Sequence, residues 1–378
     1  MNKEHLVRNK TFTVIILILG LLVAEVSLSS YTSAGDEPVD QKSRKVRNII
    51  LLIGDGMGVS QVSAAITISG DNLNMTKTNH IGFMKTHSYD NYTTDSAASG
   101  TAIASGNKTR NGMIGMAPDS TEVKLITEML REQKKMSYGV VSTSAVTHAT
   151  PASFVAHNVC RSDYEAIALD FVRKEPDVFI GGGKLHFMNR SDRRNLVRVL
   201  ERKGYQVAFN MEDLKLTEGK KVAGLLADIH MQPFSEGRNY ALADATKQAV
   251  ELLSSNRNGF FLMVEGSQID WGGHANNVEY VLGEVWDFDV AVGIALQYAK
   301  RDKETLVIVT ADHETGGMSI PDGNLEDRSV SPEFTSMGHT GVIVPVFAFG
   351  AGAEKFTGVY DNTGLFDRMA EVLKLRKD

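Results

Sequence analysis

The most regular feature of the sequence is a series of short, nearly continuous apolar runs, each ending at a glycine, an acid or another small polar residue. Strands that are buried on both faces of a parallel sheet carry apolar residues at consecutive positions. The runs therefore predict buried strands at Val46–Ile53, Gly139–Thr143, Val178–Ile180, Phe260–Val264, Thr305–Thr310 and Ile343–Phe349.

Stretches with helical spacing of apolar residues lie between these strands. The clearest helices are predicted over Glu122–Gln133, Asp163–Lys174, Asp192–Lys203, Leu242–Ser255 and Val278–Lys300. Strands that alternate with helices are typical of α/β proteins, in which helices cover a sheet. We therefore expect one large domain of the α/β class, built on a large, mostly parallel central sheet with helices on both faces.

The N-terminal segment has a different pattern, because a basic start is followed by the apolar run Thr13–Ala24 and then by small residues. This order is typical of an export signal, and the run is shorter than the roughly 20 residues that cross a membrane. We expect a signal peptide over residues 1–34, a flexible lead-in over 35–45 and the folded domain over 46–378. Cleavage would give a periplasmic or secreted protein without a stable membrane span; an uncleaved anchor is the alternative.

Composition and charge narrow the chemistry. The chain has 40 Lys and Arg against 46 Asp and Glu, a net charge of -6, which does not suggest a nucleic-acid-binding module. The single cysteine, Cys160, excludes an intrachain disulfide and a thiolate zinc cluster, and we expect it to be a small packing residue. Any transition metal must therefore be held by histidine and carboxylate side chains.

Polar residues follow the predicted strands at the point where each strand ends. Asp55 follows the first strand, the segment 147–150 lies just beyond the second, Glu265 follows the fourth, and Asp312 and His313 follow the fifth. In open α/β sheets, sites form beyond the carboxyl ends of the strands. Four separate segments are thus expected to deliver carboxylate, hydroxyl or imidazole groups to one edge of the sheet.

Ser96 lies in a segment of small residues, Thr94–Thr101, that reads as the start of a helix. Thr94 and Asp95 are good N-cap residues, which would place Ser96 on the first turn. Free backbone N–H groups and the positive end of the helix dipole favour a bound phosphate there. On this segment alone, however, a capped and tightly packed helix is the stronger interpretation.

Histidines and acids recur at spacings that suit metal ions. Asp270 and His274 are four residues apart, so one helical turn can place both groups on one cation. His339 lies in the glycine turn Gly338–Gly341, before the last predicted strand. Carboxylate and imidazole together suit Zn²⁺. Because these residues occur with several other acids at strand ends, we expect a metal site rather than ordinary buried histidines.

Two cations beside a serine would suit phosphoryl transfer. Such pairs typically lie ~3.5–4 Å apart, where one favours the alkoxide form of the attacking group and the other stabilises the leaving oxygen. Arg161 could bind two phosphate oxygens with its planar guanidinium. Taken alone, Arg161 is more often a surface ion-pair residue.

The order of these segments resembles the alkaline phosphatase family from about Val46 to the C-terminus. The resemblance rests on Gly54–Gly58, Thr94–Ala102, His148–Ala152, Arg161, Glu265–His274, Thr310–Gly317 and Gly338–Gly341. It implies hydrolysis of phosphate monoesters through a phosphoserine on Ser96, with Arg161 holding the phosphate. It also implies a mostly parallel sheet between helices and a homodimer.

The resemblance further implies two zinc ions and one magnesium ion. The ligands it assigns are Asp270, His274 and His339 for the first zinc, Asp55, Asp312 and His313 for the second, and Asp55, Thr150 and Glu265 for magnesium.

Two positions depart from the enterobacterial pattern of this family. His148 replaces an acid beside the magnesium site, and Trp271 replaces a lysine near the phosphate. The pair is similar to that of compact enzymes from marine and cold-environment bacteria. We expect weaker magnesium binding and looser phosphate, with His148 forming a hydrogen bond to the site rather than ligating a metal. For Trp271, wall packing and a direct role stay open.

Three other functions were weighed. A sulfatase would carry a C/S-x-P-x-R segment, and the segment around Ser96 has neither proline nor arginine. A metal-dependent phosphoglycerate mutase fits that segment less well than a phosphatase does. A non-catalytic zinc-binding protein of the cell envelope would explain the ligands and the signal, but not Ser96 together with Arg161.

Overall fold

The computed structural model describes residues 45–376 of the chain. The expected signal peptide over 1–34 lies outside the described residues, as does the expected lead-in except for Lys45. The described strands are β1 Asn48–Gly54, β2 His80–Lys85, β3 Ser137–Ala145, β4 Val178–Gly182, β5 Gln206–Ala208, β6 Val222–Leu225, β7 Phe260–Gly266, β8 Thr305–Thr310, β9 Glu314–Thr315, β10 Met318–Asn324, β11 Ser329–Phe334, β12 His339–Thr340, β13 Val344–Gly350 and β14 Gly358–Asp361. The described α-helices are α1 Val59–Ser69, α2 Ser96–Ser105, α3 Ile126–Lys134, α4 Ala149–Ala152, α5 Tyr164–Lys174, α6 Lys184–Met188, α7 Leu196–Arg202, α8 Met211–Lys215, α9 Ala241–Leu253, α10 Gln268–His274, α11 Val278–Asp302 and α12 Asn362–Val372.

Ten of these strands form one sheet, in the order β14-β2-β13-β8-β1-β7-β3-β4-β6-β5. Neighbouring strands are parallel except around β13, which is antiparallel to β8 and to β2. Every residue of β1, β7 and β8 is buried, so both faces of the centre of the sheet are covered. The expected large, mostly parallel sheet is confirmed.

The register of the central strands places the site. Ile53 at the end of β1 is paired with Glu265 of β7 on one side and with Thr310 of β8 on the other. Because these three strands run in parallel, the residues that follow them leave the sheet at the same edge. Asp55 and Asp312 therefore lie beside Glu265.

The longest helix, α11, supports this edge from one face. Asn277 caps its N-terminus by accepting a hydrogen bond from the backbone of Tyr280, and the chain leaves it at Lys303 in the left-handed conformation. Gly266, the last residue of β7, lies so close that a Cβ there would be 2.8 Å from the ring of Phe288. A glycine is needed at this point to let the helix approach the strand.

The sequence pattern predicted which segments are buried better than it predicted the direction of the strands or the residues at which helices begin. The run predicted as Ile343–Phe349 forms β13, but it is antiparallel, because an apolar run reports burial and not strand direction. The helix predicted over Asp192–Lys203 begins only at Leu196, since Asp192 forms a turn in which its carboxylate binds Arg190 at 2.7 Å. Strands β2, β5, β6 and β14 of this sheet were not predicted, and neither were the short strands β9 to β12 outside it.

The expectation for Cys160 was wrong, because its side chain is exposed. Its backbone N–H donates to the side chain of Asn158 in a turn that carries Arg161 inward, and the turn leaves the cysteine on the outer side. A lone cysteine in a sequence does not indicate which side of a turn it occupies.

None of the helices within residues 45–376 has both the length and the apolar character needed to cross a bilayer.

Candidate active site

The carboxyl edge of the sheet brings together side chains from seven segments of the chain. Those assigned to the site from the sequence are Asp55 after β1, Ser96 at the start of α2, Thr150 in α4, Glu265 in β7, Asp270 and His274 in α10, Asp312 and His313 after β8, and His339 in β12. The clustering predicted from the strand ends is therefore confirmed.

Ser96 occupies the first turn of α2. Asp95 caps this helix by accepting a hydrogen bond from Ala98 N at 2.9 Å, as its position in the sequence predicts. The Ser96 Oγ lies 3.3 Å from Nε2 of His313 and 3.5 Å from Oδ2 of Asp55. A buried hydroxyl at a helix N-terminus thus points into the cluster of acids and imidazoles.

Three residues form a first group of metal-type ligands. His274 Nε2 is 3.3 Å from Asp270 Oδ2, His339 Nε2 is 3.5 Å from Asp270 Oδ1, and the two Nε2 atoms are 3.2 Å apart. The Nδ1 atoms face the backbone carbonyls of Met337 and Thr94, which can only accept a hydrogen bond. In its neutral form each imidazole would therefore carry its proton on Nδ1, which leaves the two neighbouring Nε2 atoms available to a cation. A cation between them would satisfy both.

A second group surrounds Ser96. His313 Nε2 lies 3.4 Å from Asp55 Oδ1 and 3.3 Å from Asp312 Oδ2, and all three side chains are fully buried. Asp312 is oriented by Gly56 N, which donates to its Oδ1 at 3.3 Å. Asp55 Oδ1 and Asp312 Oδ2 have no hydrogen-bond partner. Buried carboxylate oxygens without donors are suited to a cation.

A third group lies around Glu265. One of its carboxylate oxygens, Oε2, accepts hydrogen bonds from the hydroxyls of Ser142, Ser144 and Ser267. These serines were not predicted to take part, although the alternation of serines at the end of β3 could have indicated a polar pocket. They orient Glu265 so that its other oxygen, Oε1, faces away from them without a hydrogen-bond partner.

That oxygen belongs to a second pocket of unpaired polar atoms. Thr150 Oγ1 and His148 Nδ1 are also buried without a hydrogen-bond partner. Ligand atoms of Asp55, His148 and Glu265 lie within 4.8 Å of one another. The hydrogen bond expected of His148 is therefore not present at Nδ1. Its ring is instead within reach of the position where a cation would lie.

In the part of the chain that the structure describes, Asp55 and Asp312 form no ion pair with a lysine or arginine. Within residues 45–376 the ion-pair partner of both acids is His313. Burial and the neighbouring Asp312 raise the pKa of Asp55 well above its usual range. Burial and the charge of Asp270 raise the pKa of Asp312 to about 7. Burial also raises the pKa of Glu265.

The histidine-rich side of the site behaves differently. Burial opposes ionisation of Asp270, but the hydrogen bond from His274 and the charges of nearby histidines outweigh it and lower the pKa of that carboxyl. The same hydrogen bond raises the pKa of His274 to about 9. Asp270 is thus ionised, while Asp55 and Asp312 repel one another, and divalent cations would relieve this repulsion.

Arg161 is bound by Asp95, the residue that precedes Ser96. Its Nη1 donates to Asp95 Oδ2 at 2.9 Å, and the same oxygen accepts from Gly112 N at 3.0 Å. Because Asp95 also caps α2, one carboxylate fixes both Ser96 and the guanidinium. This second role of Asp95 was not predicted, since a cap residue carries no sequence signal for a distant arginine.

Trp271 and His148 stand next to each other at the rim of the site. Their rings are 6.3 Å apart, and His230 packs edge-on against Trp271 at 4.8 Å. His230 accepts a hydrogen bond from the backbone of Ala145. Burial, and then the charge of Arg161, lower the pKa of His148 to about 3, so its ring is neutral. His230 was missed because it lies on a loop with no motif.

A serine at an anion-favouring helix start, an arginine held beside it and three adjoining groups of metal-type ligands define a metal-dependent hydrolase of phosphate esters. Residues 46–331 match the sequence profile of the family described as alkaline phosphatase. The chain belongs to the alkaline phosphatase family, whose members are metalloenzymes, and it is a phosphoric monoester hydrolase.

Individual relatives agree with this assignment. Alkaline phosphatase 4 of Bacillus subtilis strain 168 is 35% identical over 421 residues, which cover 89% of this chain and 91% of the relative. The solved alkaline phosphatase of the Antarctic bacterium TAB5 is 41% identical, with a TM-score of 0.84 over 88% of this chain and 99% of that one. A variant of that enzyme, in which a histidine is replaced by aspartate, has magnesium bound in a site termed M3; it is 40% identical, with a TM-score of 0.83 over 88% of this chain and 99% of that one.

Family membership decides against the three alternatives weighed from the sequence. The ions that each ligand group would hold stay predictions, and so do the individual roles of Ser96 and Arg161. Glu314, a buried carboxylate next to His313, was not singled out from the sequence, although it lies inside the segment Thr310–Gly317.

Proposed function

We propose that this enzyme cleaves phosphate monoesters through a phosphoserine on Ser96, within a catalytic domain spanning residues 46–378. The observation that carries the proposal is the position of the Ser96 Oγ, 3.3 Å from His313 Nε2 and 3.5 Å from Asp55 Oδ2, at the N-terminus of α2. By contrast, the hydroxyl of Ser99 on the same helix donates to the backbone carbonyl of Asp312 at 2.8 Å.

The residues fit two zinc ions and one magnesium ion. Histidine and carboxylate donors suit zinc, and the unpaired oxygens of Glu265 and Thr150 suit the harder magnesium. When bound, the ions would supply positive charge that neutralises the phosphate and favours ionised oxygens at the reacting centre. We assign the first zinc to Asp270, His274 and His339, the second to Asp55, Asp312 and His313, and magnesium to Asp55, Thr150 and Glu265, with His148 beside it.

The chain's own groups then perform two displacements. Ser96 Oγ forms a bond to phosphorus as the bond from phosphorus to the substrate oxygen breaks, and the serine proton, exchanged through solvent water, ends on that oxygen so that an alcohol leaves. Arg161, held by Asp95, donates to the phosphate oxygens, and the N–H groups at the start of α2 face the same negative charge. Water then forms a bond to phosphorus as the bond to Ser96 Oγ breaks, one water proton returns through solvent to Ser96 Oγ, and inorganic phosphate is released.

The nucleophile is tested by Ser96→Ala. We expect hydrolysis of p-nitrophenyl phosphate to fall by orders of magnitude and ³²P trapping on the protein at mildly acidic pH to disappear. The matched control is Ser105→Ala on the same helix, whose hydroxyl donates to Thr101 O within the helix and should leave labelling unchanged. Undiminished labelling of Ser96→Ala would show that another residue is the nucleophile.

Substrate class is tested by comparing p-nitrophenyl phosphate with p-nitrophenyl sulfate, with and without zinc. We expect zinc-dependent hydrolysis of the phosphate and little of the sulfate. Faster hydrolysis of the sulfate would contradict the proposal.

We further propose that the protein is exported to the periplasm or secreted after cleavage of residues 1–34 and works as a homodimer. The sequence pattern at the N-terminus and the family resemblance support these points. N-terminal sequencing of the exported protein tests the cleavage, and a N-terminus at Met1 would contradict it. Analytical ultracentrifugation tests the dimer, which a single monomer mass across micromolar concentrations would rule out.

A further inference from the structure

Glu314 is a buried carboxylate next to the ligand pair that follows β8, yet it belongs to none of the three ligand groups. Its Oε1 accepts hydrogen bonds from Gln61 Nε2 at 2.8 Å and from Met318 N at 3.1 Å. Its Oε2 accepts from Gly317 N at 3.2 Å and from the hydroxyl of Thr340. Four donors therefore surround one side chain that does not itself face the expected ions.

Two of these donors come from other segments that carry ligands. Thr340 directly follows His339, and its backbone is paired with that of Glu314 between β12 and β9. Gln61 lies in the first turn of α1, a short distance along the chain from Asp55. The carboxylate of Glu314 thus ties its own segment to the segment of His339 and to the segment of Asp55.

The loop after β1 also packs directly on Glu314. A Cβ on Gly58 would lie 2.3 Å from the Cγ of Glu314, so only glycine allows this approach. In the same place Thr315 N donates to Gly56 O at 3.2 Å, and Gly56 N donates to Asp312 Oδ1 at 3.3 Å. The Glu314 side chain therefore packs against the loop that follows Asp55, next to two hydrogen bonds that join this loop to the segment of Asp312.

We propose that Glu314 is a positioning residue that holds three ligand-bearing segments at the spacing required by the paired-metal site, an inference that rests on the metal assignment proposed above. Both of its carboxylate oxygens are occupied by donors, so it acts through His339, His313 and Asp55. Groups that orient ligands in advance reduce the cost of ordering them when the ion binds.

The test is zinc binding by metal-free Glu314→Ala, measured by competition with a chromophoric chelator. We expect the zinc dissociation constant to rise by roughly 10–100-fold, the usual effect of removing a group that orients metal ligands. At saturating zinc, kcat should stay within a few-fold of the wild type, because no group that touches the substrate has changed.

The matched control is Asp289→Asn, another buried carboxylate that accepts backbone hydrogen bonds, from Asn74 and Met75, but touches no ligand segment. It should lower the temperature of unfolding while leaving the zinc dissociation constant unchanged. If folded Glu314→Ala binds zinc as tightly as the wild type does, or if Asp289→Asn weakens zinc equally, the positioning role is wrong.

Should Glu314→Ala fail to fold, Thr340→Val decides the matter, because it removes one of the four donors and keeps the shape of the side chain. A severalfold weaker zinc affinity supports the proposal, and an unchanged affinity overturns it. The metal assignment fails separately: if the metal-free wild type itself binds no zinc, the assignment is wrong whatever Glu314 does.

Discussion

Two buried groups of acids in this protein are neutralised in opposite ways. On α11, Glu284 and Asp287 both bind Arg238, whose Nη2 is 2.8 Å from Asp287 Oδ2, and all three side chains are at most 2% exposed. At the carboxyl edge of the sheet, Asp55 and Asp312 are equally buried, and within residues 45–376 both have His313 as their ion-pair partner, with no Lys or Arg. The first group has a cationic partner within the chain, since both acids share Arg238, whereas the second group requires positive charge from outside.

The difference teaches where the molecule is built for stability and where it is built for binding. Where a buried acid has an arginine partner, the fold loses stability if either residue is removed. Buried acids without a cation repel one another and lower the stability of the metal-free fold. A bound ion relieves this repulsion, so the repulsion strengthens ion binding. Buried acids therefore contribute to stability at Arg238 and to ion binding at the carboxyl edge of the sheet. The following experiments test this difference between the two regions.

The largest effect should come from metal removal. Chelation should abolish hydrolysis, while the cluster around Arg238 needs no ion and the metal-free chain should remain folded. Zinc should restore activity, and magnesium alone should restore little, because it matches poorly with His274, His313 and His339. Activity and circular dichroism of the stripped protein measure this, and full activity in a preparation shown by elemental analysis to be metal-free would refute the metal requirement.

Glu284→Gln should have the next largest effect, on stability alone. The change leaves Arg238 paired with Asp287 alone and removes charge-assisted hydrogen bonds between Glu284 and Arg238, which typically costs about 1.5–3 kcal/mol. Denaturant titration of the purified protein gives the free energy of unfolding, and activity per folded molecule should be unchanged. The control is Glu279→Gln, at an exposed position of the same helix. Equal stability of the two variants would mean that the buried pair contributes nothing.

The metal-free protein should lose stability as the pH rises, because of the acids at the catalytic edge. Burial and Asp270 raise the pKa of Asp312 to about 7. A raised carboxyl pKa means that the folded state binds the proton more tightly, so the penalty is absent below the unfolded pKa of ~4 and complete above the folded pKa.

Asp312→Asn removes this group, and its metal-free form should lose less stability between pH 4 and pH 8, by roughly 1–3 kcal/mol, since one pKa unit corresponds to about 1.4 kcal/mol. Denaturation midpoints across that pH range measure the difference. Parallel curves for the variant and the wild type would show that repulsion at Asp312 is negligible.

Arg161→Ala tests the arginine at the carboxyl edge of the sheet, in contrast to the buried Arg238. Losing a hydrogen bond to a charged group costs about 1.5–3 kcal/mol, so the phosphate inhibition constant should rise roughly 10–100-fold. Arg161→Lys should recover only part, since an ammonium cannot form two parallel bonds. An inhibition constant equal to that of the wild type in Arg161→Ala would place this arginine outside the phosphate site.

The smallest effects should come from the two positions that depart from the enterobacterial pattern. His148→Asp adds a negative charge beside Asp55 and Glu265 and should tighten magnesium binding, by 10–100-fold at most. Trp271→Lys adds a positive charge near the phosphate and should tighten phosphate inhibition. Magnesium titration and phosphate inhibition measure the two changes. If the magnesium dissociation constant and the phosphate inhibition constant both stay at wild-type values, His148 and Trp271 contribute packing alone.

Much of this site could be predicted from the sequence because it lies at strand ends. Asp55, Glu265 and Asp312 each follow an apolar run, and parallel strands in register bring such residues to one edge. The helix cap at Asp95 was equally readable, since capping is a local property of the chain. The antiparallel direction of β13 could not be predicted, because apolar runs look alike in either direction.

The sequence by itself determined the fold class, the family and the set of candidate ligands, since these depend on local patterns of apolar residues and on short motifs. Only the tertiary structure decided which groups are neutralised and which are not. Asp95 meets Arg161, and Glu314 meets Thr340, across long stretches of chain. Such pairings depend on packing between segments far apart in the sequence, and the local sequence around one residue does not identify its partner.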